Sequence, residues 1–250
     1  MSVNACAELV RRGDPDRFAA AMAAPPGART VLFPLYAFNL EVARAPWVTQ
    51  EPMIAEMRLQ WWRDALAEIA EGGLVRRHEV VVPLAQVLDG AGAGLLDALI
   101  EARRADIGGP DFADGAALMD YLDATAGSLM WAAALGLGAT EGEATVRAVA
   151  RAAGLARYLA AVPELVAAGR QPLPEGFDVA TLCRRALADW PGRPGRVLRP
   201  TARPALLEAW QARGVLQRVI AAPERVAAGT LAPSEFARRA GLLRAAVAGL

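Results

Sequence analysis

This sequence contains no lysine. All 27 basic side chains are arginine, and they balance 27 carboxylates to a formal net charge of zero at pH 7. The composition therefore gives no electrostatic footing for nucleic acid or for an anionic membrane. Histidine occurs once, at His78, so a Ser-His-Asp or Cys-His system would have to use it. Its neighbours Arg76, Arg77 and Glu79 read as an exposed helix start rather than a catalytic pocket. Cys6 and Cys183 are too few and too far apart for a disulfide framework or a zinc site. Aromatics make up only 6% of the chain, and the alternating apolar runs that mark strands are nearly absent. The longest near-apolar run, Ser128 to Ala139, contains two glycines and falls short of the ~20 residues a spanning helix needs. The first residues lack the basic start and apolar core of a secretory signal. Gly108-Gly109 and Gly192 to Gly195 read as turns, without a phosphate-binding or dinucleotide fingerprint.

What is present points to helices. The chain is 54% hydrophobic and rich in alanine and leucine, with apolar residues at helical spacing. The expectation is an all-α, single-domain bundle over residues 1–250, with no internal repeat and no linker marked by a composition shift. Ser2 to Val10 is a short amphipathic helix. Asp14 and Pro15 make an N-cap and first-turn pair for a helix over Asp16 to Ala24. Two helices follow, Val31 to Arg44 and Pro52 to Glu71. The second carries an apolar face of Ile54, Met57, Trp61, Trp62, Ala65, Leu66 and Ile69, with Gln60, Arg63 and Glu71 opposite. Further helices are expected at His78–Asp89, Leu95–Asp106 (after a turn at Gly90–Gly94), Asp114–Gly136, Glu141–Ala168 with an interruption at Pro163, Asp178–Ala188, Ala202–Ala222 and Glu235–Leu250, the last capped by Ser234.

Three short patterns carry a resemblance. Tyr36-Ala37-Phe38 is followed, on the next helix, by Trp62-Arg63; Tyr121, Ala126, Gly127 and Ser128 form a Tyr-x-x-x-x-Ala-Gly-Ser helix; and Gly169, Arg170, Leu173 and Pro174 form a Gly-Arg-Leu-Pro turn. Together they resemble the squalene/phytoene synthase family over about residues 14–213. The resemblance implies an isoprenoid-synthase-like bundle around a central cavity. It also implies chemistry in which magnesium ions, held by two facing aspartate clusters, ionise an allylic diphosphate. Aspartates at i and i+4 share one helical face, which is why such spacing binds a cation. Here the corresponding positions carry Ala43 and Trp47 in the first motif, and Ala161 and Leu165 in the second. None of these side chains can ligate magnesium, so neither a metal nor a cofactor is expected.

The departures themselves resemble one branch of the family, whose member serves as an assembly factor for respiratory complex I in mitochondria. The shared pattern is Ala37, Phe38, Asn39, Glu41 and Ala43, then Met57, Arg58, Gln60, Trp61 and Trp62, then Leu159, Ala161 and Pro163. The reading that leads is a non-catalytic assembly or interaction factor with a protein partner, such as a complex I subunit or intermediate. It would be cytoplasmic and at most peripheral at the inner membrane. Tyr36, Asn39, Glu41, Arg58, Gln60, Arg63, Tyr121, Arg157 and Arg170 are the candidates for a remnant cavity or ligand surface. The two arginines could hold a phosphate without metal, though surface arginine is the ordinary state in a chain without lysine. Two alternatives stay open. A prenyltransferase with a relocated metal site would need Asp120, Asp123 or Glu164 in the cavity. A non-catalytic isoprenoid- or lipid-binding protein would keep an apolar pocket.

Overall fold

The computed structural model describes residues 2–49, 51–109, 112–174 and 176–249. These residues form helices and turns, with no strand among them. In chain order the helices are α1 (Val3–Gly13), α2 (Pro15–Ala23), α3 (Pro26–Arg44), α4 (Pro52–Ala70), α5 (Val81–Ala85), α6 (Gly90–Arg103), α7 (Ala105–Gly108) and α8 (Gly115–Leu122). A π-helical segment, Asp123–Gly127, joins α8 to α9 (Ser128–Gly136); α10 (Glu143–Ala167) and α11 (Val179–Ala188) follow. A short 3-10 turn at Pro194–Val197 and a seven-residue 3-10 helix at Arg203–Ala209 lead to α12 (Ala212–Ala221), followed by a 3-10 turn at Pro223–Arg225 and α13 (Glu235–Ala248). No helix of the described residues is long and apolar enough to cross a membrane.

Local chemistry sets several of these boundaries. Asp14, Asp89, Asp114, Asp178 and Ser234 each accept a hydrogen bond from a first-turn amide, at 2.9, 2.8, 2.9, 3.0 and 3.3 Å. Each such cap stabilises its helix by about 1 kcal/mol. The Asp89 cap corrects one expectation: Gly90 to Gly94 is the first turn of α6, not a linking turn, because the aspartate satisfies the amides that glycine leaves open. The helix expected over His78 to Asp89 shrinks to α5. The helix expected from Ala202 to Ala222 splits, its first half winding as a 3-10 helix after Pro204.

α3 and α10 are the central helices. Every residue from Val31 to Asn39 is buried, and α10 buries Ala148 to Ala150 and Ala152 to Ala156. α10 crosses the π segment closely: a Cβ on Gly154 would sit 2.9 Å from that of Ala126. The small residues Ala126 and Gly127 thus serve the close approach of α10, since a Cβ on Gly127 would in turn sit 3.0 Å from the Arg147 guanidinium of that helix. α4 packs on α6 and, by an edge-on contact between Trp62 and Phe38 at 5.3 Å, on α3. It buries Ala55, Leu59, Trp62, Ala65, Leu66 and Ile69, while Ile54, Met57 and Trp61 face outward. The wide apolar face is therefore half core and half surface. His78 is not an open helix start. It is half-buried, with Trp61 and Trp62 rings 5.1 and 5.3 Å away, and its Nδ1 accepts from the Val80 amide at 3.2 Å.

Candidate functional site

Between α3 and α10 lies a cavity of about 250 Å³. Ala43 and Trp47 reach it from the end of α3 and the following turn, and Ala161 and Leu165 from α10. Four positions that lie in two pairs far apart in sequence therefore face one space. Asn39, Tyr121 and Arg157 line it as well, together with Arg17 of α2, Arg103 of α6, Asp106 of α7 and Tyr158 of α10. The Arg170 guanidinium lies 5.4 Å over the Trp47 ring, a cation–π contact at the rim.

The cavity wall is charged, yet its charges are internally matched. Glu208 is buried. It accepts from Arg17, and from Arg157 at 2.8 Å, while its backbone carbonyl accepts from Arg157 at 2.9 Å. Arg17 also donates to Asp14 at 3.0 Å. Burial alone would push the Glu208 carboxyl up, but the Arg17 and Arg157 guanidiniums hold it below its ordinary range. Arg17 stays protonated by the converse balance: burial opposes the charge, and the Glu208 and Asp14 carboxylates outweigh it. A second group joins Arg103, Asp106 and Tyr121. Arg103 donates to the Tyr121 hydroxyl at 2.6 Å and to Asp106 at 3.0 Å, and that hydroxyl donates to Asp106 at 2.8 Å. Burial, with Asp106 adding to it, raises the Tyr121 phenol above its usual value. The Tyr158 hydroxyl donates to the Pro172 carbonyl at 2.6 Å.

The other candidates lie elsewhere. Tyr36 is buried beside the cavity with Arg17 5.5 Å over its ring, and its hydroxyl has no hydrogen-bond partner among the described residues. Glu41 is half-buried and does not line the cavity. Arg58 and Gln60 are exposed on α4, because that helix turns Leu59 and Trp62 inward; Gln60 donates to Asp64 at 2.8 Å. Arg63 ties α4 to α6 through Asp97 at 2.7 and 3.0 Å and Glu101 at 3.0 Å. Of the acids needed by a relocated metal site, Glu164 is exposed, and Asp120 and Asp123 line a separate groove with Arg151. Asp123 is also paired with Arg147 and Arg151, each at 2.9 Å. Sequence reasoning missed Arg17, Glu208, Arg103 and Asp106. The one available signal for Glu208 was a lone carboxylate inside the apolar run Ala205 to Trp210.

These residues do not fit magnesium. The four motif positions offer two methyl groups, an isobutyl group and an indole, where the ion needs hard oxygen donors. Among the described residues the one carboxylate lining the cavity, Asp106, is engaged by Arg103 and Tyr121. Among the described residues no group of three or more His, Cys, Asp or Glu side chains is placed to hold a metal ion.

Comparison with known proteins places this geometry. The squalene/phytoene synthase family model matches residues 10–241. A solved dehydrosqualene synthase, crystallised with a ligand, shares the fold at a TM-score of 0.75 and 16% identity, covering 98% of this chain and 95% of that one. A Drosophila melanogaster relative, the homologue of NADH dehydrogenase (ubiquinone) complex I assembly factor 6, is 37% identical over 67 residues. That match covers 26% of this chain and spans a fifth (20%) of the relative's length. The chain belongs to the squalene/phytoene synthase family.

Proposed function

We propose that this chain is a non-catalytic member of the family, acting as an assembly or interaction factor in the maturation of respiratory complex I. The observation that carries this reading is the convergence of Ala43, Trp47, Ala161 and Leu165 on one cavity. The positions that the resemblance assigns to the metal motifs share one space, and none of the four carries an oxygen ligand. The volume supports it too. At about 250 Å³ the cavity lies below the roughly 300–1,000 Å³ of ordinary small-molecule pockets, which also weighs against the reading as an isoprenoid carrier. The likeness to a complex I assembly factor homologue supports the choice of process and of a protein partner.

Two experiments test it. Titration of purified chain with a prenyl diphosphate, with and without magnesium, is expected to give no magnesium-dependent heat. Such heat, or turnover of the diphosphate, would return the chain to the enzymes. Deletion in the host, followed by native electrophoresis of its membranes, is expected to deplete mature complex I. Unchanged complex I would remove the assembly role while leaving the loss of catalysis intact.

A further inference from the structure

We propose that α13 and the arginine-rich loop beside it form a docking face for an anionic phospholipid surface. This does not depend on how the central cavity is read. Phe236, Ala240, Leu243 and Val247 fall within about 60° of one another around the helix, at about 100° per residue. All four are exposed, the three large ones at 83, 67 and 80%. The opposite side is the packed one: Ala245 is buried, and Gly241 lies against the Trp210 ring. The helix thus has a core face and, facing out, an apolar ridge that no element of the described residues covers. Arg239 and Arg244 flank that ridge on its two sides, both exposed. The one acid of the helix, Glu235, sits in the first turn and is held by Arg238 at 3.2 Å and Arg239 at 2.9 Å.

The last turn of α13, with Val247, shares an open basin of about 780 Å³ with Arg193, Arg196 and Arg203. Among the described residues no Asp or Glu side chain lines this basin. Arg193, Arg196, Arg199 and Arg203 all lie on the surface, and among the described residues none is paired with an acid; Arg203 donates only to the Leu198 carbonyl, at 3.4 Å. The chain's zero net charge conceals this concentration. An apolar ridge flanked by arginines, whose aliphatic stems can lie along acyl chains while their heads stay in the headgroup layer, matches an anionic bilayer. A local basic cluster adds attraction to such a surface. A second copy of α13 fits less well: laid antiparallel it would set Arg239 against Arg244, and laid parallel each against itself.

The test is sedimentation of the full chain with vesicles of phosphatidylcholine, alone or enriched in phosphatidylglycerol. The chain is expected to pellet with the anionic vesicles only and to be released by salt. Arg193→Glu with Arg196→Glu should weaken binding roughly tenfold or more. Phe236→Asp with Leu243→Asp should abolish it independently. Met53→Asp with Met57→Asp, on the exposed face of α4, should leave it unchanged. Failure to bind, equal binding to both vesicles, indifference to either α13 or loop substitution, or loss through the α4 pair would each overturn the assignment.

Discussion

Glu208→Gln is the substitution that most directly tests the account of the cavity wall. It keeps the shape of the side chain and removes the one charge shared by Arg17 and Arg157. The Glu208 side chain is 1% exposed and that of Arg17 is 10%, so their interaction is poorly screened. Removing one partner of a buried pair costs about 3–5 kcal/mol, because the other charge is left uncompensated. Arg17 keeps Asp14, and Arg157, with a side chain 31% exposed, can turn toward water. The expected loss is therefore at the lower end, about 3 kcal/mol. Arg157→Met should cost less, about 1 kcal/mol, since its pair is closer to solvent. Urea unfolding followed by tryptophan fluorescence measures both. The pH dependence adds a second check. Glu208 has a folded value below its unfolded one, so its contribution is present above the ordinary carboxylate range and is lost as pH falls through the folded value. The Gln variant should lack that part of the acid limb. A loss below about 1 kcal/mol, an Arg157→Met cost equal to that of Glu208→Gln, or an unchanged acid limb would refute the reasoning.

Three further outcomes are expected. Placing aspartate at positions 43, 47, 161 and 165 together should create magnesium binding that the natural chain lacks, read by calorimetry; its absence would mean these positions do not face one another as described. Gly154→Ala would press a methyl group onto Ala126, 2.9 Å away, and should cost about 1–3 kcal/mol by overpacking, seen as a fall of several degrees in melting temperature. The thiols of Cys6 and Cys183, pushed up by burial to about 11 and about 12, should resist a thiol reagent at pH 8 in the native chain and react promptly in urea.

Much of the architecture was legible because local signals agreed. The Asp14–Pro15 cap pair and the helix ends at Arg44 and near Ala70 follow from capping chemistry and period, whereas the expected break at Pro163 does not occur and α10 runs through it for 25 residues. That Ala43, Trp47, Ala161 and Leu165 line one cavity agrees with the expectation that the two motifs face each other, since the patterns around them survive in the sequence. What failed has physical causes. On α4, Ile54, Met57 and Trp61 lie beside the buried row of Ala55, Leu59, Trp62 and Leu66, and periodicity alone does not say which edge of a wide apolar face finds a neighbour. The pairing of Arg17 with Glu208 spans 191 positions, beyond any local rule. The 3-10 winding of Arg203–Ala209 reflects tertiary packing, since its Ala, Leu and Glu residues favour an ordinary helix.

The matched charges of the cavity also bear on whether a diphosphate can enter it without metal. Arg17, Arg103 and Arg157 face the space, and Asp14, Asp106 and Glu208 hold them. An incoming anion would have to compete with carboxylates already in ion-pair contact, each with its own desolvation balance settled. Freeing the arginines should reverse this. In the Glu208→Gln variant Arg157 loses its carboxylate and Arg17 keeps only Asp14, so the variant should gain affinity for pyrophosphate while losing stability. With a dissociation constant of about 1 mM, ~10 mM pyrophosphate would add about 1.4 kcal/mol. For a chain of this size that corresponds to a rise of about 3–6 °C in melting temperature. The natural chain should show no comparable rise. Equal stabilisation of both proteins would mean that the arginines were available from the start, and that the internal pairing does not close the site to anions.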